Sequence, residues 1–208
     1  FDLKPRSFLR LSFEAAPGNS VLLRLAQLSG GTGFVPRMRV FGADGGLLAE
    51  AAGGSNSSTS EARLLFQPTA EGTFMLVIDS ATAEGTGNYR IHRLQLPGAV
   101  TTPSGDTGGP LTSGGNHDGA ISLGDIDAWT FEAAAGERVF LRAAQTSGDA
   151  TFAPRLQVYD ARGFLVGHAA GADNSTASEA RLDFVPDEEG DFTVVLDSNL
   201  VEGTGNYR

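Results

Sequence analysis

The chain has 208 residues, 28 glycines, no cysteine and a formal net charge of −10. That length suits one large domain or two of about 100 residues, and a hydrophobic content of 40% is too high for a chain disordered throughout. The missing thiols exclude disulfide staples and thiolate metal sites, the acid excess argues against nucleic acid, which needs a basic face, and no apolar run approaches the roughly 18 residues of a membrane helix.

Taken from the N-terminus, Phe1-Asp2-Leu3-Lys4 alternates apolar and polar side chains as a strand does. The chain opens at Phe1 without an initiator Met and closes at Arg208 inside a strand-like segment, which reads as a mature or trimmed fragment. Strands are expected near 9–14, 21–25, 37–42, 46–50, 63–66, 73–79 and 87–96. Their period is two, with Val21, Leu23 and Leu25 on one face and Phe74, Leu76 and Ile78 on another. Pro17-Gly18, Ala43-Asp44-Gly45-Gly46 and Glu71-Gly72 supply the turns between them. No segment carries the 3.6-residue period of an amphipathic helix.

A shift of 118 residues superposes the chain on itself without a gap, and 44 of the 78 positions in 13–90 and 131–208 are identical. Chance does not produce that, so one fold occurs twice. The expected architecture is all-β: two tandem antiparallel β-sandwiches at 1–98 and 119–208, joined by a Gly/Pro/Ser/Thr linker at 99–118. Where copy 1 has Leu65 copy 2 has Asp183, so that face tolerates a charge and Leu64 and Phe66 point inward. Copy 1 continues past Arg90 into Ile91-His92-Arg93-Leu94-Gln95-Leu96, whereas copy 2 stops at Arg208, so its sheet is expected to keep an unpaired edge. Phe1 to Lys4 of a neighbouring molecule is the expected donor for that edge, giving head-to-tail self-association into an open filament. The alternative is a closing strand trimmed away. Charge fits the first reading: residues 1–90 sum to 0 and residues 119–208 to −9, with Lys4, Arg6 and Arg10 at the front.

In copy 2, Gly124-Asp125-Ile126-Asp127-Ala128-Trp129-Thr130-Phe131, then Leu156 to Asp160, Glu189 to Val195 and Gly203 to Arg208 stand in an order that resembles the bacterial pre-peptidase C-terminal domain. The resemblance covers nearly all of copy 2 and about residues 13–96 of copy 1. It implies a jelly-roll-like sandwich, secretion and a non-catalytic role. For collagenase-type members it also implies calcium held by an acidic linker and the Gly-Asp-x-Asp segment. Asp125 and Asp127 match that segment. The linker, however, offers only Asp106, Asn116 and Asp118 in place of a glutamate-rich run, and Arg6-Ser7-Phe8-Leu9 replaces the motif in copy 1.

Calcium takes six to eight hard oxygens from flexible loops. Asn116, Asp118, Asp125 and Asp127 are close enough in sequence to supply several, the alternative being a solvated acidic turn. A second candidate set, Asp197 and Glu202 with Asn199 and Asn206, has an echo at Asp79, Glu84 and Asn88; its alternative is a turn in which these side chains bond their own backbone. The polar stretch from Asn56 to Glu61 and its copy at Asn174 to Glu179 read as loops. The repeated arginines, Arg24/Arg142, Arg37/Arg155 and Arg63/Arg181, read as paired surface charges or strand-edge guards. Trp129, the lone tryptophan, falls in the first strand of copy 2 and reads as core rather than as a sugar platform. No catalytic constellation accompanies His92, His117 and His168. The expected function is a non-catalytic extracellular or cell-surface module, structural or adhesive, with calcium-stabilised junctions and contacts to matrix or cell surface. Accessory substrate- or matrix-binding domains of a secreted peptidase are the alternative.

Overall fold

Alternating apolar side chains become strands along the whole chain, and no helix forms among the described residues. The computed structural model describes residues 2–4, 7–31, 33–54, 60–148, 150–175 and 177–208. Residues 56–59 of the Asn56–Glu61 loop therefore lie outside the described residues, as do Phe1 and Arg6. Backbone contacts divide the chain into two units, Phe1–Gln95 and Leu96–Arg208.

Unit 1 comprises β1 (Asp2–Leu3), β2 (Leu9–Ala15), β3 (Ser20–Gly30), β4 (Pro36–Phe41), β5 (Leu47–Ala52), β6 (Glu61–Phe66), β7 (Gly72–Ser80) and β8 (Gly87–Leu96). They form two four-stranded sheets ordered β1-β8-β3-β6 and β2-β7-β4-β5. The inward residues are those the period selects: Val21, Leu23, Leu25, Phe74, Leu76 and Ile78 are all buried, and Phe66 with them. Leu64 packs against this core while Leu65 between them is 47% exposed. Phe13 stacks on Phe74 with ring centroids 5.7 Å apart, and Phe66 meets Phe74 edge-on at 5.0 Å.

Unit 2 repeats this from β10 (Gly119–Ile121) and β11 (Asp127–Ala133) through β12 (Val139–Gly148), β13 (Pro154–Tyr159), β14 (Leu165–Ala170), β15 (Glu179–Phe184), β16 (Gly190–Ser198) and β17 (Gly205–Tyr207). Its sheets run β10-β17-β12-β15 and β14-β13-β16-β11-β9. Register is conserved: Phe13 faces Phe74 and Phe131 faces Phe192. The extra strand β9 (Gly108–Pro110) lies inside the linker and pairs in parallel with β11, Gly109 opposite Trp129. Leu111 then donates its N–H to the Thr130 carbonyl at 2.8 Å and packs against the second core. The stretch 99–118 is thus strapped to unit 2, because parallel pairing gives its backbone a partner and Leu111 an apolar seat.

The N-terminal segment departs from its expected role. Asp2 and Leu3 pair with Asn88 and Gly87 of their own unit, and Leu3 is buried in its core. The 118-residue shift puts them where Ala120 and Ile121 pair with Asn206 and Gly205, so the pairing is one that both copies make within themselves.

The repeated Gly-Thr-Gly-Asn-Tyr-Arg has a steric basis. A Cβ at Gly205 would come within 2.6 Å of the Phe152 ring and 2.7 Å of the Ser147 carbonyl oxygen, and one at Gly87 within 2.4 Å of the Ser29 oxygen. At Gly190 nothing lies within 4 Å. Gly205→Ala should therefore cost roughly 1–3 kcal/mol by overpacking, while Gly190→Ala should stay within about 0.5 kcal/mol of the parent in denaturant titrations.

Candidate metal centre

The loop entering β11 carries Asp125 at its tip. The Asp125 carboxylate accepts from the Ser122 hydroxyl at 3.0 Å and from the Ile126 N–H at 3.0 Å, which fixes the turn. Two residues on, at the first position of β11, Asp127 is fully buried. Its Oδ2 accepts hydrogen bonds from the Thr107 hydroxyl and the Tyr207 hydroxyl, each at 2.5 Å. Tyr207 in turn accepts from the Trp129 indole N–H at 3.0 Å. A buried polar chain thus links the linker, β11 and β17, and Trp129 is core, with His117 against its ring at 5.2 Å.

The other oxygen of Asp127, Oδ1, is buried without a hydrogen-bond partner. A lone carboxylate oxygen there is costly. Burial, together with neighbouring Asp125 and Asp106, pushes the Asp127 carboxyl up to about 7 despite the two hydroxyl donors. Oxygens of Asp106 and Asp125 approach within 4.8 Å of one another. Asp106 from the linker and Asp125 from the β11 loop thus lie close to each other and both act on Asp127, whose Oδ1 is an unsatisfied acceptor. Carboxylate oxygens such as these suit a hard divalent cation.

The structure separates the other sequence candidates from this spot. Asp118 is exposed and bonded through both oxygens to the Arg208 fork, at 2.7 and 3.0 Å, which holds its carboxyl below the usual range. Asn116 is exposed in the linker beyond Leu111. Asp197 is buried with both oxygens on Arg155, at 2.8 and 2.6 Å, and Asp79 holds Arg37 the same way at 2.8 Å. Glu202 sits in the turn after β16 with φ at 68°. In unit 1, Leu9 and Leu11 stand at the positions of Asp127 and Trp129, so the network is not repeated.

The repeated arginines are paired, Arg142 and Arg181 at the surface with Glu179, and only Arg24 departs from the expected surface position. Arg37 and Arg155 form ion pairs within the sheet, and Arg24 is buried against Glu61 with Nε to Oε1 at 2.5 Å. Thr107 and Tyr207 escaped the sequence reading of the site, although the repetition of Tyr89 at Tyr207 marked that position. No protein-family model and no curated protein matches the chain.

Proposed function

We propose that the chain is a non-catalytic extracellular module, structural or adhesive, of the pre-peptidase C-terminal type, in which calcium fastens the linker to the second sandwich. The observation that carries this reading is the orphaned Asp127 Oδ1 facing Asp106 and Asp125. Asp106 comes from the linker and the other two from the β11 loop, so an ion held by all three would cross-link two segments that otherwise meet through β9 and the Thr107 hydroxyl. Backbone carbonyls of the same loops and water would complete the oxygen shell. Repeated sandwiches and a Gly/Pro-rich connector suit a spacer that carries load or displays a surface.

Isothermal titration of the full chain with calcium chloride tests this. One binding event is expected at a dissociation constant of about 10⁻⁴ to 10⁻³ M, the range of extracellular modules. At a hundredfold excess over that constant, the native state should gain about 2.7 kcal/mol, read as a rise in the unfolding midpoint. Asp125→Asn with Asp127→Asn should abolish both signals, and Asp118→Asn should leave them intact. Calcium binding that survives the double variant would sink the assignment.

A further inference from the structure

The outer face of the five-stranded sheet of unit 2 carries a groove that the network at Asp127 does not use. Along β11 and β16 alternate side chains turn inward, with Trp129, Phe131, Phe192 and Val194 at the core. Their neighbours turn outward in two cross-strand pairs, Thr130 opposite Thr193 and Glu132 opposite Asp191. These four side chains are the floor. The linker begins hard against the turn that follows β13: Gly163 has φ at 85°, and a Cβ there would stand 2.6 Å from the Pro97 ring. Pro97, Val100 and Pro110 from the linker and Asp160 from that turn line the space above the floor, about 700 Å³, a size in the range of ligand pockets.

The charge in this groove has one sign. Glu132, Asp160 and Asp191 line it, and among the described residues no lysine, arginine or histidine does. Like charges directly across a sheet repel, and neither Glu132 nor Asp191 has an ion pair among the described residues to offset that. Asp160 is held by the Arg162 side chain at 3.0 Å, so the opposed pair carries the stronger demand for a cation. The 118-shifted positions in copy 1 are Glu14, Gly42 and Thr73, so two of the three carboxylates belong to copy 2 alone.

We propose that this groove binds a lysine or arginine side chain of a partner polypeptide. Its cationic head lies at Glu132 and Asp191, and its stem and the residues beside it lie on Pro97, Val100 and Pro110. One ammonium or guanidinium donates to both carboxylates and removes their mutual repulsion, while a methylene stem suits an apolar wall. The ligand is a polypeptide rather than a free amine because the space exceeds what one cationic side chain fills, leaving apolar wall for its neighbours. The net charge of −9 over residues 119–208 draws a basic partner to this unit. The inference deepens the adhesive reading above by naming a partner chemistry. Its test is run in chelator, so the calcium assignment and this one can fail separately.

The probe is the acetylated, amidated tripeptide Val-Arg-Val, titrated into the full chain by calorimetry at low salt. The same tripeptide with citrulline in place of arginine is the uncharged control. Saturable one-to-one binding is expected, with the citrulline form at least about tenfold weaker. Glu132→Gln with Asp191→Asn should weaken the arginine peptide by at least about tenfold. The unfolding midpoint of unit 2 in that variant should not fall, which separates a lost contact from a lost fold. No saturable binding at millimolar peptide overturns the proposal. So does equal affinity for the citrulline form, or binding retained by the double variant. Agmatine binding as tightly as the tripeptide would overturn the assignment to a polypeptide.

Discussion

Replacing Phe74 by alanine should remove about 3–5 kcal/mol from unit 1 and leave unit 2 untouched. Phe74 is 7% exposed and sits between the rings of Phe13 and Phe66, so its loss opens a cavity bounded by two aromatic faces that cannot both move in. Phe192→Ala should do the same to unit 2, where Phe131 and Phe184 lie 5.3 and 5.2 Å away. Each unit has its own cluster of buried side chains. Calorimetry should therefore resolve the damage as a fall in one transition, by at least about 10 °C for a domain of this size, with the other unmoved. A single transition shifted equally by either variant would mean that the cores unfold as one.

Tyr207→Phe should cost unit 2 roughly 2–4 kcal/mol although it removes one oxygen. That oxygen accepts from Trp129 and donates to Asp127, so its loss strands the buried indole N–H and leaves Asp127 Oδ2 with the Thr107 hydroxyl alone. Denaturant titration measures the loss, and hydrogen exchange of the Trp129 indole locates it. The same network makes the protein's stability sensitive to pH. Burial raises the Asp127 carboxyl from 3.8 to about 7. The folded state then holds the proton more tightly than the unfolded chain. This contribution to stability is complete below 3.8 and is lost as the pH climbs through about 7. Melting in chelator across that interval should fall accordingly, and Asp127→Asn, which cannot ionise, should flatten the dependence.

Much of the architecture was legible without coordinates because burial on a strand is a local, period-two property. Leu64 and Phe66 could be placed inside from the Leu65 and Asp183 contrast alone, and the structure has Leu65 outside. The internal duplication added register, since Phe13 opposite Phe74 and Phe131 opposite Phe192 are one pairing written twice. The tight Gly-Thr-Gly turn was visible as repetition, though its cause, a neighbouring carbonyl or ring where a Cβ would stand, was not.

What the sequence by itself determined, then, is the main strands, though not β9 inside the expected linker, with their inward faces and the repetition of one pattern. Tertiary structure alone decided who meets whom. Asp118 is nearer than Asp106 to Asp125 in sequence, but Asp118 faces Arg208, while β9 carries Asp106 to the head of β11. Arg155 and Asp197, 42 positions apart, meet because β13 and β16 are neighbours in register. Asp2 and Leu3 pair within their own sheet, opposite Asn88 and Gly87. Alternation reports which way a side chain points. Only the order of strands in a sheet sets what it points at, and that order is a property of the assembled core rather than of any short stretch of chain.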